Sequence, residues 1–424
     1  MVTGDGGATV AAVSGHAYPW DVLGDPDFLD RAPQRVTLAA AYHTTRAATP
    51  MHPAHRIVDA RWAALYRPVR PVAWKGQDLR PLEPDWVSTA DAFGEAAALL
   101  KRAGHRVNAW IVLTHNTRLG TRRPDVAVVN CFGEIYPYAL CPAHEEVRDY
   151  AATLAAEAVL DTDVDGVSLE ACGQMGVNHL GHHEKTDGAW SAETARLLSI
   201  CCCTACTRAW RQDGLEPAEV ISALRAAASP DRAARRVAAG TRDDTGTRHG
   251  TEIRDATETR HDLGTRDDSG TRDGTGGRDG AGPADFRRIL DALLAVRHRH
   301  TDLLRVQVLD GLPKMPVTLH AHPDPWATGP SPGLTARASA DVDTLLVPCW
   351  PVGDSSTDLV RRAATRNRPV DAYVTLLHPA DPETLVPHVQ ALKAAGASRF
   401  SLYHLGLAPA WRQDLFATIA AAVE

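Results

Sequence analysis

The stretch VDGVSLEA (164–171) is a run of alternating apolar residues that ends on a single carboxylate, Glu170. Seven other short apolar runs of this kind lie along the chain, and amphipathic stretches with helical periodicity separate most of them. The predicted strands are 9–18, 35–43, 107–115, 164–171, 316–323, 343–350, 370–378 and 399–407. The predicted helices are 89–103, 144–160, 190–212, 284–305, 356–366, 381–395 and 409–423. Apolar strands that alternate with helices predict a parallel sheet covered by helices.

The first connection, which contains DPDFLDRA, is short but can hold about two helical turns. Eight strands with their connecting helices predict an α/β fold of the (β/α)8 TIM-barrel class. One segment competes with this count, because LLRVQVL (303–309) also has the composition of a strand. A ninth strand would break the eightfold arrangement, and we therefore assign this segment to the end of one long helix, 284–310.

One region has the composition of an insertion. From Gly240 onward an arginine recurs every six residues within repeats such as GTRDDT, and apolar side chains are almost absent. Such a sequence cannot bury enough apolar surface to offset the entropy of ordering. We predict a disordered low-complexity insertion at 230–283, between a first part of the barrel at 1–229 and a second part at 284–424. A small interaction segment is the alternative.

Composition narrows the range of partners. The chain has 424 residues, of which 44% are hydrophobic, and a formal net charge of −7. This weak acidity argues against nucleic acid or an anionic membrane as the main partner. The sequence contains no run of 18 apolar residues, and its first residues lack a basic start and an apolar signal core, which predicts a cytoplasmic protein without membrane spans. Four of the eight cysteines lie within 201–206, which favours metal binding or free thiols over a disulfide framework.

Polar and aromatic residues follow the predicted strands at the end where barrels of this class build their sites. The candidate substrate-binding residues are His16, Tyr18, Trp20, Asp21, Tyr42, His43, Arg46, His115, Asn116, His320, Trp350, His378 and Tyr403, together with His182 and His183 from the loop 176–185. That loop could instead hold a metal ion with His320 and His322, or be a solvated segment. A cup lined by aromatic rings, imidazoles and amides suits a polyhydroxylated ligand such as a sugar.

Two motifs on either side of the fourth strand carry a resemblance. YALCPAHEEVRDY (138–150) precedes this strand, and LSICCCTACTRAW (198–210) follows it. Their order resembles the region around the fourth strand of family 42 β-galactosidases. The resemblance implies that Glu170 is a general acid/base. It also implies a structural zinc ion bound by Cys201, Cys203 and Cys206, with Cys141 or Cys131 as the fourth ligand.

The sequence departs from this family at the seventh strand. Enzymes of the retaining type carry a second carboxylate there, and glycoside hydrolysis usually needs two. Here His378 stands at the expected place. Asp324 is the best substitute, followed by Asp21 and Glu184, although an Asp between prolines often fixes a turn.

These observations leave three functions open. The first is a glycoside hydrolase-like enzyme that acts on a carbohydrate or glycoside, with Glu170 and Asp324 as the catalytic pair. Burial at a strand mouth would raise the pKa of Glu170, as a general acid requires. The second is a barrel that binds a small molecule or oligosaccharide without catalysis. The third is a metal-dependent hydrolase that uses the histidine cluster, although the first predicted strand offers only His16. The sugar, the linkage, the stereochemical outcome and the oligomeric state stay open.

Overall fold

The computed structural model describes residues 12–179, 185, 186, 188–229 and 283–423. Residues 230–282 of the predicted insertion, and His182, His183 and Glu184 of the loop after the fourth predicted strand, lie outside the described residues.

Among the described residues, eight strands form one parallel sheet and five more are short accessory strands. In chain order they are β1 (Ala12–Ala17), β2 (Arg35–Tyr42), β3 (Thr45–Ala48), β4 (Ile57–Ala60), β5 (Ala64–Leu65), β6 (Arg106–Val112), β7 (Ala127–Val129), β8 (Ile135–Leu140), β9 (Gly166–Glu170), β10 (Val317–His320), β11 (Thr344–Pro348), β12 (Val370–Thr375) and β13 (Ala397–Tyr403).

The helices of the described residues are also numbered in chain order. They are α1 (Pro19–Gly24), α2 (Phe28–Arg31), α3 (Ala92–Arg102), α4 (Thr117–Arg122), α5 (Glu145–Val159), α6 (Ala192–Leu198), α7 (Thr204–Gln212), α8 (Pro217–Ala228), α9 (Pro283–Gly311), α10 (Ala338–Asp341), α11 (Asp354–Ala364), α12 (Pro382–Ala394) and α13 (Ala410–Val423), with a 3-10 turn at Pro124–Val126. None of the helices in the described ranges is long and apolar enough to cross a bilayer.

The parallel sheet closes into a barrel. Its strands are hydrogen-bonded in the order β1, β2, β6, β9, β10, β11, β12 and β13, and β13 pairs with β1. Every one of these pairings is parallel, so the carboxyl ends of all eight strands meet at one rim. The predicted (β/α)8 barrel is therefore confirmed, and each of the eight predicted strands overlaps one barrel strand.

The segment 303–309 is helical, as predicted. It belongs to α9, where Leu304 and Val308 are fully buried at a spacing of four residues. Between them Arg305 forms ion pairs with Asp302 at 2.5 Å and with Asp341 at 2.8 Å. A buried guanidinium with two carboxylate partners holds this side of α9 against the barrel.

The predicted helix 190–212 is instead two helices, α6 and α7, separated by the cysteine-rich turn 199–203. The β3–β4 and β7–β8 hairpins and β5 were not predicted. Several of these strands, such as TRAA, IVDA and IYPYAL, contain charged residues or a proline and are not the apolar runs on which the strand prediction relied.

Alternation along the barrel strands determines which side chains point inward. The lower interior layer is polar and surrounds a small cavity. Its residues are Ser14, Arg35, Thr37, Asn108, Ser168, Thr318, Leu346, Asp371, Arg399 and Ser401. Two residues further along the strands, the next layer contains His16, Trp110, Glu170, His320, Tyr373 and Tyr403. This upper layer is the floor of the site.

Candidate functional site

Glu170 is the last residue of β9 and is 4% exposed. The indole Nε1–H of Trp110, on the neighbouring strand β6, donates a hydrogen bond to Glu170 Oε2 at 2.8 Å. His320 Nδ1, from β10 on the other side, lies 3.6 Å from the same oxygen. Burial raises the pKa of Glu170 to about 7, although the Trp110 hydrogen bond opposes this shift. A carboxyl group with this pKa can both donate and accept a proton near neutral pH.

Aromatic rings surround this carboxyl group. Trp110 meets His16 edge-on at a centroid distance of 4.7 Å and Tyr42 at 4.6 Å. Tyr373 lies 4.6 Å from His16 and 5.6 Å from His320. The rings come from five of the eight strands, so the closure of the barrel is what assembles the cluster.

The three central imidazoles are neutral at ordinary pH. Burial lowers the pKa of His320 and of His404 to about 3, and that of His16 well below its usual value. Both ring nitrogens of His16 and of His404, and Nδ1 of His320, are buried without a hydrogen-bond partner among the described residues. Each of these nitrogens can bond to a water molecule or to a ligand that enters the barrel. A neutral imidazole offers one donor and one acceptor, which matches a hydroxyl group.

A second group of rings extends the cluster toward the rim. His43 stacks on Tyr42 at 4.2 Å and on His115 at 4.3 Å, and His115 Nε2 lies 2.9 Å from His179 Nε2. His115 therefore reaches the central cluster through His43 and Tyr42.

A groove of about 490 Å³ opens above the central layer. His320 and Tyr373 form part of its wall, and Trp350, which is 42% exposed, stands at its edge 5.2 Å from the ring of Tyr403. The remaining lining residues include Asn178, Arg196, Ser199, His322, Asp324 and Trp326. Glu170 thus lies one side chain behind the groove, next to His320.

Asp324 lines this groove but also has a local role. Its Oδ1 accepts a hydrogen bond from the backbone N–H of Trp326 at 3.0 Å, and its Oδ2 is 3.3 Å from Arg196 Nη2. The side chain is 33% exposed. Asp324 is therefore available to a ligand while it also fixes a turn.

The other predicted binding residues are of three kinds: residues buried behind the ring cluster, a residue that serves the scaffold, and residues exposed to solvent. Tyr18 packs on Trp20 at 4.3 Å and on His404 at 4.2 Å, which places Trp20 in the core behind the cluster. Asp21 is buried there too; it accepts a hydrogen bond from the backbone N–H of Tyr18, and burial raises its pKa to about 8.

Asn116 uses its side chain to cap α4 and to donate to the hydroxyl of Tyr150, so it serves the scaffold. Arg46 is exposed on β3. His378 is exposed three residues beyond the end of β12, and the inward residues of this strand are Asp371, Tyr373 and Thr375.

Reasoning from strand ends missed Trp110 and Tyr373, which lie inside their strands. The signal was available in the alternation of polar residues. Asn108 and Trp110, Ser168 and Glu170, and then Asp371 and Tyr373 are spaced by two, and this spacing marks the inward face of each strand.

Four cysteines meet at one point outside the barrel. Cys141, Cys201, Cys203 and Cys206 are buried free thiols whose Sγ atoms lie within 4.8 Å of one another. Cys141 Sγ is 3.6 Å from that of Cys206 and 3.7 Å from that of Cys203. Tetrahedral zinc with Zn–S bonds of about 2.3 Å would place its sulfurs about 3.8 Å apart. The residues therefore fit such an ion. Within the described ranges, no other set of His, Cys, Asp and Glu side chains comes together closely enough to share a metal.

Comparison of the sequence with family models and with curated proteins gives no match. Solved structures do match. An α-L-fucosidase isoenzyme from Paenibacillus thiaminolyticus aligns with a TM-score of 0.53 at 12% identity, over 96% of this chain and 48% of that one. The chain thus spans about half the length of the fucosidase. The catalytic domain of a β-amylase from Paenibacillus polymyxa aligns with a TM-score of 0.52 at 13% identity, over 98% and 99% of the two chains.

A GH42 β-galactosidase from G. stearothermophilus aligns with a TM-score of 0.47 at 12% identity, over 98% of this chain and 56% of that one. Identities this low show the fold and nothing finer. The chain shares the (β/α)8 barrel of these glycoside hydrolases.

Proposed function

We propose that this protein is a glycoside hydrolase-like enzyme that acts on a carbohydrate or glycoside, with Glu170 as the general acid/base. The observation that carries the proposal is the setting of Glu170, a buried carboxyl group at the carboxyl end of a barrel strand with a pKa raised to about 7. A general acid works best with a pKa near the working pH. The aromatic rings and neutral imidazoles around it suit a ligand with ring faces and hydroxyl groups.

Asp324 is the proposed second carboxylate. It lines the same groove as His320, and its Oδ2 is ion-paired with Arg196 at 3.3 Å. Two carboxyl groups in contrasting environments, one buried and one ion-paired, match the division between a proton donor and a base or nucleophile.

A sugar-binding barrel without catalysis is the second candidate. One observation favours it: the inward carboxylate of β12, Asp371, lies a layer below Glu170 and accepts a hydrogen bond from Ser401 at 2.9 Å. No carboxylate of β12 therefore reaches the groove wall, where Tyr373 is found instead.

A panel of aryl glycosides tests the proposal. Wild type, Glu170→Gln and a matched control, Glu157→Gln, are compared for release of the aryl group. Glu157 is also a buried glutamate, but it lies on α5 and pairs with Arg70. We expect turnover of at least one glycoside by wild type and by Glu157→Gln, and a loss of about 100-fold or more in Glu170→Gln. Binding of a sugar without turnover in any variant would favour the non-catalytic candidate.

A second proposal concerns the four buried cysteines outside the barrel. We propose that Cys141, Cys201, Cys203 and Cys206 bind a structural zinc ion, which would join the end of β8 to the turn between α6 and α7 and to the start of α7. Hydrogen bonds from the neighbouring thiols lower the pKa of Cys203, which supports a thiolate at this position. Such an ion would hold the loops that follow β9 and would take no part in the chemistry at Glu170.

A further inference from the structure

A series of three side chains crosses the centre of the barrel. Ser168 Oγ lies 3.0 Å from His320 Nε2, and His320 Nδ1 lies 3.6 Å from Glu170 Oε2. Ser168 and His320 are each 1% exposed, and Glu170 is 4% exposed. Ser168 and Glu170 are two residues apart on β9 and share its inward face, while His320 ends the neighbouring strand β10. The pairing of β9 with β10 therefore fixes the order of the three groups.

The contact between Ser168 and His320 is compatible with two tautomers of the imidazole, because a hydroxyl can donate to Nε2 or accept from it. When the Ser168 hydroxyl donates to Nε2, the single proton of the neutral imidazole is on Nδ1 and faces Glu170. The reverse arrangement would direct the Nδ1 lone pair at a carboxylate oxygen, which is repulsive. An ionised Glu170 thus favours the first arrangement. The gap of 3.6 Å is longer than a hydrogen bond, but catalytic contacts of this kind often shorten when a ligand binds.

We propose that Ser168 and His320 are positioning residues for Glu170, and that they stabilise its carboxylate form through an imidazole N–H directed at Oε2. This role rests on the proposed function of Glu170. Through His320, Ser168 would influence the pH at which Glu170 is protonated. Trp110 would supply the second N–H to the same oxygen.

Several other titratable groups face this series. His16 on β1, Tyr42 on β2, Tyr373 on β12 and Tyr403 on β13 surround Glu170 and His320. Burial, and to a smaller degree the charge of Glu170, raises the pKa of the three tyrosines, and burial lowers that of His16. All four shifts move the pKa away from neutral pH, so none of these groups titrates close to neutral pH.

Two carboxyl groups do titrate near neutral pH. Burial raises the pKa of Asp371 to about 7 and that of Asp21 to about 8. Asp371 lies a layer below Glu170, and Asp21 lies beside His404. A probe attached to Glu170 itself is therefore required.

The indole N–H of Trp110 is such a probe, since it donates directly to Glu170. With 15N-labelled tryptophan, the chain gives ten indole resonances, and the one from Trp110 is assigned by its loss in Trp110→Phe. Its chemical shift against pH reports the ionisation of Glu170 without any substrate. Glu170→Gln, in which the titration must vanish, confirms the origin of the signal.

We expect a midpoint near pH 7 in wild type and a midpoint about one unit higher in His320→Phe, which removes the N–H directed at the carboxylate. We expect the same direction in Ser168→Ala, which removes the hydroxyl that favours the proton on Nδ1 of His320. Ser14→Ala is the matched control. Ser14 is a buried serine of the same interior layer, but its hydroxyl bonds to Thr37 at 2.9 Å. Its midpoint should equal that of wild type.

A wild-type midpoint in Ser168→Ala would overturn the inference, as would an equal shift in Ser14→Ala. Should His320→Phe fail to fold, Ser168→Ala carries the test, since it removes a single buried oxygen. An active enzyme should also show the basic limb of its pH–rate profile displaced upward in Ser168→Ala. A protein that hydrolyses no glycoside would defeat the proposed function, yet the indole titration would still decide this inference.

Discussion

Replacement of one cysteine tests whether the sulfur cluster holds a metal and what that metal does for stability. In Cys206→Ser the cluster of four Sγ atoms loses one member. Cys141 and Cys206 are 65 residues apart, so an ion that joins them closes a loop of that length. By the chain-entropy relation for cross-links, closing such a loop stabilises the folded state by about 4 kcal/mol. For a chain of this size the entropy of unfolding is about 0.9 kcal/mol/K, so loss of the cross-link should lower Tm by about 5 °C.

The assay combines metal analysis with thermal unfolding. Wild type purified without chelator should contain about one zinc per chain, and Cys206→Ser well below that. Cys131→Ser is the matched control, because Cys131 is also a buried free thiol but is not part of the cluster. It should keep both the zinc and the Tm of wild type. Zinc retained at full stoichiometry in Cys206→Ser, or wild type that takes up none from zinc-supplemented medium, would refute the reasoning.

Three further outcomes follow from the site. Trp110→Phe removes the indole donor to Glu170, so the pKa of this carboxyl group should rise above its value of about 7 by about one unit. The basic limb of the pH–rate profile should therefore move to higher pH, and an unmoved limb would contradict the hydrogen bond. Burial raises the pKa of Asp21 to about 8 in the folded state, whereas the unfolded state releases this proton near pH 4. The stability that this group contributes is therefore present at low pH and is lost as the pH rises toward 8. Denaturant titrations should show the free energy of unfolding falling by up to about 1.4 kcal/mol per pH unit on this account, and a smaller slope in Asp21→Asn; an unchanged slope would contradict it. Trp350→Ala should raise KM or Kd for a sugar by about threefold to tenfold with little change in kcat, because it removes a stacking surface at the edge of the groove. The control is Trp411→Ala, which should change neither constant, because Trp411 is 67% exposed and lies outside the groove lining. Equal effects in the two variants would show that Trp350 does not belong to the site.

The barrel was predictable because its strands are buried and short. Their apolar runs, such as 107–115 and 343–350, contrast with amphipathic helices between them, and the period is visible in the sequence. The helical state of 303–309 followed from the strand count alone. Its actual cause, the burial of Leu304 and Val308 on one face of α9, involves contacts that no local pattern contains.

The site was predictable in part. His16, Tyr42, Glu170 and His320 do lie together, since parallel strands bring their carboxyl ends to one rim. The relation of Ser168 to His320 could not be read from the sequence, because the two residues are 152 positions apart and their contact depends on the register between β9 and β10. Cys141 was expected beside the other cysteines only through the family resemblance, which left Cys131 as the alternative, and the structure places Cys141 with them.

The dependence of hydrolysis on the leaving group tests the role of Glu170 most directly. A general acid matters most when the departing oxygen is a poor leaving group, and little when it departs without a proton. We predict that Glu170→Gln lowers kcat/KM by about 100-fold or more for phenyl glycosides, and by far less for dinitrophenyl glycosides of the same sugar. Equal losses for both classes, or equal turnover by wild type and Glu170→Gln, would contradict the assignment of Glu170 as the acid.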